Sequence, residues 1–246
     1  MPFLYRFLSS CFYYCCFSSF LFAQNENMDS LWMLRIKETA IKTYYQSIKE
    51  NAPFFNGAEY TGHGQNIIGH AFFGNGNAYN GFLEYDGVLY NNVSMQYDIV
   101  DDAIIISDFT NNYFIKLNTR KIGTFSLGNS VFVQPAFYKI KENIPGEGFY
   151  QQLYNGFTTV LVKQRKQVVY KATAEETIAR FVQYNSYYIK KGLNYLPVSR
   201  KKDILEIYDD RKNEIRKFIE DNKLNFRKNP VTMLEKIAAY YDQIKN

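Results

Sequence analysis

The sequence predicts an α+β protein: an N-terminal helix, an antiparallel β-meander that forms a twisted sheet or partly open barrel, and C-terminal helices. Three observations carry this expectation. Apolar residues recur at three- and four-residue intervals from Leu31 to Ile48 and again beyond Arg200, the period of a helix that buries one face. Between those stretches, over roughly a hundred residues, short β-branched and aromatic runs alternate with turn dipeptides. No long helical pattern separates the runs, which disfavours a parallel, doubly wound sheet.

The elements follow in chain order. Met1 to Arg6 carries one cation, and an uncharged run of Phe, Leu, Tyr, Cys and Ser continues to Phe22 before Ala23 gives way to Gln24-Asn25-Glu26-Asn27. This is the pattern of a cleavable secretory signal over residues 1–23. The run is interrupted by Ser and Cys and is shorter than the roughly 20 apolar residues that span a bilayer. Cysteines 11, 15 and 16 lie inside the run, not directly after it, which disfavours lipid attachment. Leu31, Leu34, Ile36, Ala40, Ile41, Tyr44, Tyr45 and Ile48 then form an amphipathic helix, with Asp29 or Ser30 as N-cap and an end before Pro53.

Turn chemistry marks the strands. Asp86-Gly87 joins strands over 82–85 and 88–90, Asp101-Asp102 precedes a strand over 103–107, and Gly128-Asn129 precedes one over 130–134. Asn155-Gly156 joins strands over 149–154 and 157–163. Asp-Gly and Asn-Gly suit the left-handed φ of two-residue hairpin turns. Thr173-Ala-Glu-Glu176 has capping-box spacing and predicts a short helix to about Val182; residues 187–190 and 195–198 then pair across Lys191-Gly192. Three helices close the chain, the first near Arg200, the second from Asp210 and the third from Asn229-Pro230, an N-cap followed by proline at the first helical position. In the third, Val231, Leu234, Ile237, Ala238, Tyr241 and Ile244 form one apolar stripe that reads as a core-packing face. The expected organisation is residues 1–23 as signal, 24–198 as helix plus sheet, and 199–246 as helices packed on the same domain.

Cleavage after Ala23 removes all three cysteines, so the mature chain has no thiol for a disulfide, a zinc site or a nucleophile. Its charge is uneven: residues 24–140 carry 8 basic and 11 acidic side chains, and residues 141–246 carry 20 and 13. A basic half suits contact with something anionic, such as lipid headgroups, acidic polysaccharide or an acidic protein face; the plainer reading is a solvated helical surface. Basic residues interleaved with tyrosines (Arg165-Lys166, Lys190-Lys191, Arg200-Lys201-Lys202) would suit nucleic acid in a cytoplasmic protein, and export argues against it. No later stretch is apolar for long enough to form a membrane-spanning helix.

No catalytic, cofactor-binding or metal site is assigned from the sequence. His63 and His70 are the only histidines, and their six-residue gap is not a ligand spacing, although Glu59, Asp86 or Asp98 stands near enough in sequence to be a third ligand. No Gly-x-Ser-x-Gly elbow exists, and the glycines between Gly69 and Gly76 lack the phosphate-loop string. Glu84, Asp86, Asp98, Asp101 and Asp102 could supply paired carboxylates for glycoside cleavage, though any strand-rich domain offers such pairs. Tyr, Phe and Trp make up 18% of the chain; they either pack strands and helices or stack on a ligand.

Tyr85-Asp86-Gly87-x-x-Tyr90-x-x-Val93-x-x-x-Tyr97-Asp98, Gly148-Phe149-Tyr150 with Leu153-Tyr154-x-Gly156, Tyr187-Tyr188-Ile189-x-Lys191, and Phe218-Ile219-x-x-Asn222-Lys223-Leu224-x-Phe226 resemble strings in uncharacterised secreted proteins of Bacteroidota. The resemblance implies residence in the periplasm or cell envelope of a Gram-negative bacterium and brings no activity with it. The expectation is an exported, non-enzymatic binding or accessory protein with no cofactor, whose partner is a protein or an anionic or apolar envelope ligand. A carbohydrate-active or hydrolytic enzyme using the acidic residues of 84–102 is the alternative.

Overall fold

The computed structural model describes residues 53–245 except 109, 111, 139–145 and 175. The signal and the helix expected over 31–48 lie outside the described residues. Residues 50–246 form one compact unit, dominated by strands and closed by helices.

The strands are β1 (Ala58–Glu59), β2 (Ile67–Ile68), β3 (Tyr79–Tyr85), β4 (Val88–Asp98), β5 (Ala103–Ser107), β6 (Phe114–Lys116), β7 (Ile122–Leu127), β8 (Ser130–Val133), β9 (Tyr150–Asn155), β10 (Thr159–Ala172), β11 (Thr177–Lys191) and β12 (Asn194–Val198). They form one open sheet in the order β1-β6-β5-β4-β3-β7-β8-β9-β10-β11-β12, with β2 joined to β11 by a short parallel pairing. From β3 to β12 the expected meander is interrupted once. Strands β3 to β6 extend in one direction, and the chain then returns to add β7 on the other side of β3. A staple made by Asp86 fixes this return: its N–H donates to the Lys121 carbonyl at 2.6 Å and its carboxylate pairs with the Lys121 ammonium at 3.0 Å.

Asp86 and Gly87 both take positive φ, 56° and 77°, and Tyr85 pairs with Val88 across them, the two-residue turn read from the sequence. The turn at Asn155-Gly156 differs from expectation. Asn155 pairs with Thr159, so Gly156, Phe157 and Thr158 make a three-residue connection; Gly156 N–H donates to the Thr158 carbonyl within it, and the N–H groups of Phe157 and Thr158 donate to Asp242 of the C-terminal helix. The helix expected over 173–182 is also absent. Thr173 and Glu176 do form the hydrogen bond of a capping box, Glu176 N–H to Thr173 Oγ1 at 3.1 Å, but Thr173 N–H donates back to the Glu176 carbonyl at 2.8 Å. The bonds close a tight turn, and Thr177 onward pairs with β10 residue by residue to Lys190.

Two cores flank the sheet's length. In the first, Tyr97, Phe125, Phe132 and Phe149 are fully buried; Phe125 and Phe132 stack at 4.8 Å, and Tyr97 meets the other three edge-on at 5.2 to 5.8 Å. The second lies between Val160, Ile189 and Val198 of the sheet and the helices α1 (Lys201–Ile207), α2 (Lys212–Asp221) and α3 (Pro230–Lys245). Ile204, Tyr208, Ile215, Ile219, Leu234, Ile237 and Tyr241 fill it, each large apolar side chain contributing about 2 kcal/mol by burial.

The helix starts are chemically marked. Asn229 Oδ1 accepts the Thr232 N–H at 3.2 Å ahead of Pro230, as expected of an N-cap. At α1 the Asp203 carboxylate reaches back to the N–H groups of Ser199 (2.9 Å) and Arg200 (3.1 Å) and to the Ser199 hydroxyl (2.8 Å). The Ser199 backbone bond is the largest of the effects that hold this carboxyl down at about 2.

Candidate functional site

Two places on the described surface combine polar chemistry with access. The first is a clamp on the glycine-rich segment between β1 and β3. Asp98, at the end of β4, is fully buried, and its carboxylate is saturated: Oδ1 accepts the N–H groups of Val100 (2.8 Å) and Asp101 (3.1 Å), and Oδ2 accepts the Tyr60 hydroxyl (2.7 Å) and His63 Nε2 (2.6 Å). The opposite ring nitrogen of His63, Nδ1, faces Asp101 at 3.9 Å, and Asp101 is paired with Lys116 at 2.6 Å. Burial, reinforced by the bond to Asp98, pushes the Tyr60 hydroxyl well above its ordinary range.

Of the acidic residues weighed beside the histidines, one stands there. Asp98 joins His63, with Asp101 unforeseen, whereas His70 lies apart against Lys166 and Asp86 is tied to Lys121. Ligating atoms of His63, Asp98 and Asp101 fall within 4.8 Å of one another. Their arrangement nevertheless suits a hydrogen-bonded clamp: the two ring nitrogens address different carboxylates, Nε2 stands at hydrogen-bond distance from Asp98, and Lys116 neutralises Asp101.

Lys166 ties the same segment down from β10. Its ammonium donates to the carbonyls of His70 (2.9 Å) and Phe72 (2.7 Å). Desolvation lowers the pKa of Lys166, and desolvation followed by the Lys166 charge lowers that of His70. Between clamp and tie lies an open depression of about 460 Å³ with Tyr60, His63, His70, Phe72, Phe114 and Phe181 among its walls.

The acidic residues of 84–102 are divided. Glu84 and Asp86 stand at the β3–β4 turn, Asp98 and Asp101 belong to the clamp, and Asp102 pairs with the buried Lys163 at 2.5 Å. No two of them face each other across the depression with free oxygens in the manner of a glycosidase pair: Asp98 has no lone pair to spare and Asp101 is held by Lys116.

The second place is the β10–β11 hairpin. Strand β9 covers β10 only over Thr159 to Val162, and β12 covers β11 only over Tyr187 to Lys191. Beyond them the ribbon continues for ten residues of β10, roughly 30 Å, paired at its sides, among the described residues, only by β2 and by Lys166 N–H to the Ile99 carbonyl. The two strands contain seven Lys or Arg and no Asp or Glu. The basic character expected of the C-terminal half is therefore concentrated in a ribbon where no acidic side chain is interleaved.

Register separates the ribbon's faces. Lys166 opposes Gln183 and Val168 opposes Phe181, and this face is covered, since Lys166 holds the loop carbonyls and the Phe181 ring meets His63 at 6.0 Å. Arg165 opposes Tyr184, Gln167 opposes Val182, Val169 opposes Arg180 and Lys171 opposes Ile178. On this second face Arg165, Val169, Lys171, Arg180 and Tyr184 are exposed. Sequence reading missed it because the capping-box spacing suggested a helix where the strands turn.

Comparison with known proteins finds no matching family, no similar curated protein and no similar solved structure. Among the described residues no helix is long and apolar enough to cross a membrane.

Proposed function

We propose that the protein is exported to the periplasm or cell envelope of a Gram-negative bacterium and works there as a non-enzymatic binding or accessory protein, docking an anionic partner on the β10–β11 ribbon. The observation that carries this reading is the ribbon's open face: Arg165, Lys171 and Arg180 are exposed on it, and neither strand contains an acid. Among the described residues no carboxylate pairs with Arg165, Lys171 or Arg180. Uncompensated cations on one face raise the local concentration of anions and steer encounter.

The test is retention of the purified protein on an immobilised polyanion as salt is raised. The reading expects elution at distinctly higher salt for the parent than for a triple variant Arg165→Gln, Lys171→Gln, Arg180→Gln of unchanged far-UV circular dichroism. Equal elution of the two would overturn it.

A further inference from the structure

Resting on that reading, we infer that the anionic partner is a lipid surface, and that the ribbon lies on it with the Arg165–Val169–Lys171–Arg180–Tyr184 face down. Cations alone do not distinguish a bilayer from an acidic polysaccharide or an acidic protein. The apolar side chains between them do. Val169 and Tyr184 are 39% and 50% exposed, and Ile178 and Val182 are half-buried on the same face.

A soluble polyanion recognised by charge needs none of these. At a bilayer they have a natural place: long cationic stems reach headgroup phosphates, valine and isoleucine enter the acyl boundary, and tyrosine sits at the interface with its hydroxyl in water.

The ribbon's construction supports this placement. Alternation puts the covered face, with Lys166 and Phe181, toward the glycine-rich loop, so the opposite face is the one left open. No side chain on that face is acidic, so none repels an anionic headgroup. Among the described residues Glu176 is the acid near the tip, and it lies in the turn, which favours a ribbon lying along the surface over one inserted tip first.

The experiment is co-sedimentation of the purified protein with vesicles of phosphatidylglycerol and phosphatidylcholine, against vesicles of phosphatidylcholine alone. Soluble polyglutamate serves as a second anionic probe. Parent and variants carry the same N-terminus, so any contribution of the apolar leader cancels.

Binding to the anionic vesicles should fall about 100-fold in the triple variant Arg165→Gln, Lys171→Gln, Arg180→Gln, at about fivefold per cation. It should fall several-fold in Val169→Ser, Tyr184→Ser, which leaves polyglutamate binding unchanged. Unchanged thermal melts of both variants establish that the fold is intact. Polyglutamate binding without preference for anionic vesicles, or a Val169→Ser, Tyr184→Ser variant that binds vesicles like the parent, would overturn the lipid inference and leave the anionic-partner reading standing. Loss of neither probe in the charge variant would overturn both.

Discussion

Replacing Asp242 on the C-terminal helix should destabilise this protein strongly, because that carboxylate holds a distant hairpin. It accepts the Phe157 N–H at 2.6 Å, the Thr158 N–H at 3.3 Å, the Thr158 hydroxyl at 3.1 Å and the Tyr154 hydroxyl at 3.0 Å. Hydrogen bonds to a charged acceptor contribute about 1.5 to 3 kcal/mol each, and a buried donor left without an acceptor bears its full desolvation cost. Thr158 is only 1% exposed and cannot turn to water, whereas Phe157 is 69% exposed and its amide can. Weighing the two buried Thr158 donors most, Asp242→Ala should lose about 3 to 4 kcal/mol, and Asp242→Asn, which keeps one acceptor, about 2. In a unit of this size the Ala variant should melt roughly 10 °C lower. Equilibrium urea unfolding of parent and variants, with slopes compared to exclude a change in the unfolded state, measures the difference. A second substitution tests the geometry. A Cβ on Gly156 would stand 2.3 Å from Asp242 Oδ2 and 2.5 Å from the Tyr154 hydroxyl, so Gly156→Ala should be costly in the parent and less so beside Asp242→Ala. A loss below about 1 kcal/mol in Asp242→Ala, or strict additivity of the pair, would refute the reasoning.

Asp203→Asn should cost about 1 kcal/mol at neutral pH through the lost N-terminal bonds of α1. The parent's carboxyl titrates near 2, below its unfolded value, so its contribution is present above the ordinary carboxyl range and is lost as pH falls through about 2; urea midpoints of the two proteins should converge there. Lys166→Met removes both ties on the glycine-rich loop, and amide exchange of Phe73 and Ile99, which donate to Tyr97 and Ala71 at 2.8 and 3.0 Å, should quicken about tenfold. Unchanged exchange at those amides would show that the loop is held without Lys166. Tyr60→Phe removes one of the four donors on Asp98 and should cost about 1 kcal/mol in urea unfolding; Asp98→Ala, which strands all of them, should cost about three times as much.

What could be read in advance was local chemistry. Asp86-Gly87 takes the left-handed turn that its residues favour, and Asn229-Pro230 opens a helix as an N-cap followed by a first-turn proline, so both stand where they were expected. The hairpin at residues 173–176 was misread for the same reason. A threonine three residues before a glutamate forms its side-chain bond equally in a helix start and in a tight turn, and the decision comes from fourteen paired residues on either side. Asn155-Gly156 failed because its conformation is imposed by Asp242, more than 80 positions away. Nor does spacing announce the clamp. His63 and Asp98 are 35 residues apart and meet only because the chain between β1 and β3 crosses to the end of β4. In α3 the predicted stripe was right at Leu234, Ile237, Ala238 and Tyr241, yet the buried face also includes Met233 and Asp242. An acid beside an apolar stripe reads as solvent-facing unless its distant donors are known.

Position along the ribbon decides what each of its cations does, and therefore which of them can speak to function. Lys163, nearest the core, is 2% exposed and pairs with Asp102; desolvation lowers its pKa, opposed by that carboxylate. Lys166 is used by the loop carbonyls on the covered face. Lys191, at the opposite end, donates to the Ile207 carbonyl at 2.7 Å and to Asp210 at 2.8 Å, binding the sheet to α1 and the turn after it. Lys190 lies over the Tyr195 ring at 5.5 Å. Replacing any of these perturbs packing, so weaker anion binding in such a variant would say nothing about a docking face. Arg165, Lys171 and Arg180 share one face, lie beyond the flanking strands and are exposed. A docking role predicts that these three alone separate binding from stability: their loss should weaken attachment to anionic vesicles about 100-fold while the urea midpoint stays within about 0.5 kcal/mol of the parent.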